Sequence, residues 1–374
     1  MTRDPQMLAQ ESVAQPSGIP YSPAPRVPAF SERAVRDDLP VGSSRSPAVR
    51  SVFKLIDMYA RVPRPVVFTG PTGAGKGFFA RLLHKQSGRG GDFVEMSSGQ
   101  LTESLLHDEL FGHEKHAFTG AQFRRKGAFQ RAAGGVLFLD EAQHWSMLVQ
   151  NALLHVLGEA MFQPVGADRE IPTACRTLFA STRPLDDLVR ERSLLPDLRW
   201  RMGELEIPVP PLSARREDIM PLADFFLDRA RVEFKLAREM AFGPEVIVTF
   251  LLHDWPGNIR ELQGAVEHGL IHAHAEKTSD IEPAHLPTTV PASDKKLGDC
   301  APEIRQAAME WMLRKTGGNQ SETARRLGLH RNTVSRRLGG SRPLIQPSAK
   351  PFDLAKPPVP EYAWESQESH GVRL

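Results

Sequence analysis

The chain has 374 residues, 40% of them hydrophobic, and its 47 Lys and Arg almost balance 45 Asp and Glu for a formal charge of +2. That length suits two or three folded units with a sizeable core, and so small a net charge points to no partner until its distribution along the chain is read. Cys175 and Cys300 sit in unlike contexts without metal-ligand spacing, no apolar run nears the roughly 18 residues of a membrane span, and the N-terminus lacks the apolar stretch of a secretion signal; these features argue against a disulfide framework, a zinc site and a membrane anchor, and for a reducing cytoplasm.

Residues 1–40 carry seven prolines and no sustained periodicity, the pattern of a disordered arm too short to build a sensory domain. In "AVRSVFKLIDMYARV" the residues Val49, Phe53, Leu55, Ile56 and Tyr59 recur at helical spacing and open a packed domain. Five short apolar runs follow, "RPVVFTG", "GDFVEM", "GGVLFLD", "CRTLFAST" and "LEIPVP", separated by helical patterns. Runs so uniformly apolar predict strands covered on both faces, hence an α/β domain over 41–213. The first run leads into Gly70-Pro71-Thr72-Gly73-Ala74-Gly75-Lys76-Gly77, the spacing of a phosphate-binding loop before a helix. There, backbone N–H groups turn inward around the phosphates of ATP, the helix presents its positive end, and Lys76 adds a mobile charge. The third run delivers Asp140 and Glu141 at its end. In this context Asp140 is read as the Mg²⁺ ligand and Glu141 as the group that polarises the attacking water. Gly77 stands where a hydroxyl ligand for Mg²⁺ is usual.

From residue 214 to 278 three helical patterns form a lid, with Asn258 in "WPGN" a plausible helix cap. Residues 279–300 read as a Pro- and Ser-containing linker, and 341–374 as a disordered tail. Between them, 301–340 hold eight Lys/Arg against three Glu, which concentrates the basic charge that the whole-chain balance hides. "GGNQSETARRLGLHRNTVSRRL" predicts a helix capped by Ser321, a turn at Gly328 and a second helix anchored by Val334 and Leu338. That leaves His330, Arg331, Asn332, Thr333, Ser335, Arg336 and Arg337 for double-stranded DNA. The preceding "PEIRQAAMEWMLRKT" places Ile304, Ala308, Trp311 and Met312 on one face, for packing and a dimer contact.

The stretch "ELFGHEKHAFTGA" closely resembles the signature loop of the bacterial enhancer-binding proteins, AAA+ ATPases that activate RNA polymerase carrying sigma-54. The resemblance covers about residues 41–338 and includes the Fis-type helix-turn-helix. It implies an AAA+ P-loop domain with a helical lid and a C-terminal all-α DNA-binding unit. It further implies that Ala117, Phe118, Thr119, Gly120 and Ala121 contact sigma-54, and that ATP hydrolysis remodels the polymerase–promoter complex from upstream DNA. By the same resemblance Thr182 stands at the first sensor, Arg260 at the second, Ser97 where an Asn restrains Glu141, and Arg201 at a position that acts on a neighbour's nucleotide in a hexameric ring. The chain departs from the family at Gly77, at Ser97, at Leu195 where a second interfacial arginine is common, and at His116 where the loop usually has glycine. Two alternatives remain at this stage: a hydrolysis-impaired DNA-bound partner in a mixed ring, and an AAA+ remodeller outside transcription. With no sensory domain expected, control by expression level or by a protein acting in trans is implied.

Overall fold

Each of the five apolar runs forms a strand, and the strands pair side by side as one parallel sheet. They are β1 (Val66–Thr69), β2 (Phe93–Ser97), β3 (Val136–Asp140), β4 (Arg176–Ser181) and β5 (Glu206–Pro208), in the spatial order β2-β3-β4-β1-β5. The structure is a computed structural model that describes residues 44, 46–97, 103–236 and 240–338; the arm expected over 1–40 and the tail over 341–374 lie outside the described residues. Side chains alternate across the sheet as the two-residue strand period requires. Val66, Phe68, Val136 and Phe138 enter one core, while Val67, Leu137, Leu139 and Phe179 enter another on the opposite face.

Helices α1 (Pro47–Tyr59) and α2 (Lys76–Ser87) line the first core, and α3 (Glu103–Phe111) and α4 (Met147–Glu159) the second. Of the face expected on α1, Val49 and Ile56 are buried together with Val52, whereas Phe53, Leu55 and Tyr59 are half-buried. The end of α1 is fixed by Arg176, whose guanidinium donates to the carbonyl oxygens of Tyr59 (2.8 Å), Ala60 (2.6 Å) and Arg64 (2.8 Å). A cation suits that position because the last carbonyls of a helix carry partial negative charge. Burial, with help from Arg89, pulls the Arg176 pKa down to about 10, which leaves it charged at neutral pH.

Helices α6 (Ile219–Glu233), α7 (Pro244–Leu252) and α8 (Asn258–Ala275) make the lid, with α5 (Pro196–Met202) still on the sheet domain. The segment expected to be a linker is packed instead. Asp280–Ile281 pairs in parallel with Ala241–Phe242, and Ile281, Leu286, Val290, Leu297 and Cys300 are buried in the lid core. Its polar composition conceals single apolar anchors spaced three to seven residues apart.

The C-terminal unit has α9 (Pro302–Lys315), α10 (Gln320–Arg326) and α11 (Arg331–Leu338). Asn319, not Ser321, caps α10: its Oδ1 accepts from the backbone N–H groups of Ser321 and Glu322, both at 3.1 Å. The turn passes through Gly328 at φ 62°, and Ala324, Leu327 and Val334 close the small core as expected. The apolar face of α9 supplies the packing read in the sequence, and does so within the chain. Ile304, Ala308, Trp311 and Met312 are buried against the lid, so the face expected to make a dimer contact is already covered within the chain. Trp311 Nε1 and Lys315 Nζ each donate to one oxygen of Asp224 at 2.6 Å, and Lys315 Nζ lies 5.2 Å from the centroid of the Trp311 ring. Burial lifts the Asp224 carboxyl above its ordinary range, against the pull of Lys315 and Trp311.

Candidate functional site

Because all five strands run in parallel, their C-terminal ends fall on one edge of the sheet, the edge where ligands of open α/β sheets bind. The pairing aligns Ser97 with Asp140 and Thr69 with Ser181, so the phosphate loop, the two carboxylates and the first sensor meet there. Lys76 starts α2 and is buried, with its Nζ donating to the carbonyls of Gly70 (2.8 Å) and Pro71 (3.2 Å) across the concave side of the loop. The loop conformation depends on Gly73, at φ 74°, where an added Cβ would lie 2.4 Å from the Gly257 carbonyl oxygen. That close approach is the seam between loop and lid. The backbone N–H of Ile259 donates to Gly73 O at 3.1 Å, and Arg260 projects from α8 beside it.

These groups are coupled by charge. Burial draws the Lys76 ammonium below its ordinary range; Asp140 and Glu141 push back, and Arg260 adds to the fall. Burial likewise lifts the Asp140 carboxyl, while Lys76 and the backbone N–H of Glu141, 2.7 Å from Oδ1, lower it. Anionic phosphates would relieve Lys76, and a divalent cation would relieve Asp140, so the residues present fit nucleotide and Mg²⁺, with Gly77 offering no hydroxyl ligand. Glu141 has a left-handed backbone at φ 62°, and Ser97 Oγ donates to its Oε2 at 2.5 Å, so the shorter serine does reach the carboxylate.

Three residues of the site escaped the sequence reading. Asn258 does not cap α8; it adopts φ 53°, accepts from Leu212 N–H at 2.8 Å and donates through Nδ2 to Thr72 O at 2.9 Å, which ties lid entrance to phosphate loop. Gln143, two residues past Glu141, accepts from the backbone N–H of Thr182 at 3.3 Å, linking the carboxylate turn to the first sensor. Arg215 is fully buried, and its Nη2 donates to Ala74 O at 2.5 Å. Burial pulls its pKa down to about 10, with Asp218 opposing. A polar residue in a turn or lid helix carries no sign in sequence of which distant backbone it will bridge.

Other expected residues lie apart from this edge. Arg201 is exposed on α5, its guanidinium resting over Gly158 of α4, where an added Cβ would come within 1.8 Å of Nη1. Arg199 is engaged inside the chain, donating to Asp186 (2.9 Å) and to Gly203 O (3.0 Å), and Leu195 is half-buried. The signature loop rises from an antiparallel pair, Gly112–His113 with Arg125–Lys126. Phe118, Thr119 and Gly120 are exposed at its tip, Ala117 is half-buried against Gly166 of a second hairpin, and Ala121 is buried at its base. His116 keeps φ 68°, the left-handed conformation that costs a side-chain-bearing residue on the order of 1 kcal/mol and explains a preference for glycine there.

On α11, Arg331, Asn332 and Arg336 are exposed together with His330 before it, whose Nδ1 accepts from Asn332 N–H at 3.2 Å. Thr333 is half-buried, and Ser335 Oγ donates to Gln320 Oε1 at 2.7 Å, so this hydroxyl is engaged between the two helices. The side chain of Arg337 lies outside the described residues.

Comparison with known proteins agrees with this arrangement. Residues 43–208 match the sigma-54 interaction domain, 213–301 the AAA+ ATPase lid domain and 302–339 the bacterial regulatory protein Fis family. The transcriptional regulatory protein ZraR of Klebsiella oxytoca is 37% identical over 338 residues, covering 89% of this chain and 74% of that protein. The DNA-binding transcriptional regulator NtrC of Escherichia coli (strain K12) is 32% identical over 321 residues, covering 78% and 68%. Among solved structures, NtrX from Brucella abortus superposes with a TM-score of 0.63 at 29% identity, covering 83% of this chain and 71% of that one, and its complex with ATP with 0.61 at 29%, covering 79% and 68%. The sigma-54 interaction domain, the AAA+ lid and the Fis-family unit, matched in that order along one chain, mean that the chain belongs to the sigma-54-dependent transcription activators, AAA+ ATPases with a Fis-type DNA-binding unit.

Proposed function

We propose that the chain works as a cytoplasmic ring, a hexamer, in which ATP lies between subunits and hydrolysis drives the loop at 117–121 against sigma-54 while the C-terminal unit holds upstream double-stranded DNA. The observation that carries this reading is the convergence of Lys76, Asp140, Glu141 and Arg260 at one edge while Arg201 stays exposed and apart from it. The backbone of Gly70–Gly77 and the Lys76 ammonium bind the phosphates. Asp140 would hold Mg²⁺, which supplies charge neutralisation on the phosphoryl group when bound. Glu141 takes the proton of the attacking water, and its tie to Ser97 keeps it turned aside until γ-phosphate competes for the serine. Thr182 and Gln143 on one side and Arg260 on the other report the γ-phosphate to sheet and lid. The domain limits that go with this reading are 41–213 for the α/β part, 214–300 for the lid with its packed extension, and 301–340 for the DNA-reading unit.

A ring makes hydrolysis depend on assembly. ATPase turnover per subunit should rise steeply with protein concentration, and Arg201→Ala should lower turnover about a thousandfold or more while nucleotide still binds. Turnover that is flat with concentration and indifferent to Arg201 would contradict catalysis between subunits. On the DNA side, Arg336→Ala removes an exposed cation from α11. It should weaken binding to an upstream site in gel-shift measurements by about tenfold, with ATPase assembly intact. Unchanged affinity would remove Arg336 from the reading surface.

A further inference from the structure

The loop carries a second exposed aromatic that the signature does not include. Phe123 is 78% exposed, more than Phe118 at 49%, and both contact the same buried histidine, Phe118 through its ring and Phe123 through its backbone carbonyl. The ring of Phe118 stands edge-on to that of His113 with centroids 4.9 Å apart, and His113 Nε2 lies 3.0 Å from the Phe123 carbonyl oxygen. The other ring nitrogen, Nδ1, lies 2.6 Å from Asp108 Oδ1. Asp108 is itself buried and receives Arg125 at 3.3 Å on its other oxygen. Around this pair stand Glu109, bridged to Arg125 and 3.6 Å from Arg131, together with the Arg124–Glu114 pair at 3.0 Å and exposed His116.

We propose that Phe123 joins Phe118 in the apolar surface that meets sigma-54, and that His113, packed on the Phe118 ring and bonded to the Phe123 carbonyl, is the positioning residue for both. The inference rests on the loop's assigned role. It is argued from continuity with that loop: Phe123 stands 78% exposed on the loop five residues past Phe118, and an apolar pocket on a partner would cover such a ring. Asp108 and His113 touch neither partner nor nucleotide; they act through the two phenylalanines.

The test uses the full chain held with ADP and aluminium fluoride, and measures its affinity for purified sigma-54. Phe123→Ala should weaken binding by about tenfold, as for truncation of an interface aromatic, and Phe123→Tyr, which keeps the ring, should restore it to within about threefold. His113→Ala should bind about tenfold more weakly, and His113→Gln, which can still donate to the Phe123 carbonyl, should recover part of that loss. Thr119→Ala serves as the separating control. If Thr119→Ala loses sigma-54 and Phe123→Ala does not, the second aromatic contact is refuted and the loop assignment stands. If Thr119→Ala binds like the unmutated chain, the loop assignment itself fails. Affinity of His113→Ala equal to that of the unmutated protein, or no recovery in His113→Gln, would overturn the positioning role.

Discussion

Lys76→Ala is expected to lose nearly all nucleotide binding. The ammonium is buried, burial has already lowered its pKa, and its present partners are two backbone carbonyls that cannot replace a phosphate. A cation so placed is kept by the anion it meets, and removing one partner of a buried hydrogen-bonded charge pair costs roughly 2–5 kcal/mol, or about 30-fold to several-thousand-fold in affinity. The loss should appear directly in equilibrium titration with a fluorescent ATP analogue. The fold should survive, because the loop is also braced by Asn258 and by Ile259 N–H, neither of which involves the lysine side chain. Binding of ATP by Lys76→Ala at the unmutated affinity would contradict the phosphate-loop assignment.

Thr119→Ala is expected to divide the activity in the opposite way. Thr119 is exposed at a tip whose backbone is set by local bonds, His116 N–H to Ala121 O at 2.8 Å and Ala121 N–H to Phe118 O at 3.0 Å, so loss of one hydroxyl leaves the turn intact. The groups that surround Lys76 are contributed by strand ends and lid rather than by this loop. ATPase turnover and DNA affinity should therefore stay within about threefold, the size of effect ordinary for a surface substitution. Activation from a sigma-54 promoter should be lost, because the tip would no longer engage its partner.

Much of the fold was legible in the sequence because its signals are periodic. The apolar runs at β1, β3 and β4 became strands buried on both faces, those at β2 and β5 became partly buried edge strands, and each 3.6-residue pattern became a helix. What periodicity cannot tell is which surface covers which. The apolar stripe at Ile304, Ala308, Trp311 and Met312 was readable as a face, but a second copy and the lid would satisfy it equally well; Asp224, 87 residues from Trp311, decides for the lid. The segment 279–300 reads as a linker because its composition is polar, and only packing reveals that Ile281, Leu286, Val290 and Leu297 anchor it. Asn319 and Ser321 are both good caps, and the choice between them depends on which side-chain oxygen meets free N–H groups.

The site divides in the same way. Lys76, Asp140 and Glu141 announce themselves by spacing, since phosphate and metal chemistry needs those groups at the ends of neighbouring strands. Asn258, Gln143 and Arg215 bridge segments distant in sequence or sit in turns, and only the folded chain shows what each touches. The Asp108–His113 pair is hidden for the same reason: it forms because a helix end and a loop stem meet, and neither residue is unusual in its own stretch.

The most direct measurement is open-complex formation on a sigma-54 promoter with purified polymerase, sigma-54, upstream DNA and this protein, with ATP turnover followed in the same mixture. Open complexes should form with the unmutated chain and ATP, and should fail with a non-hydrolysable analogue or with Thr119→Ala although Thr119→Ala still consumes ATP. Open complexes formed equally well without hydrolysis, or by Thr119→Ala at the unmutated level, would contradict the coupling of the nucleotide edge to the loop.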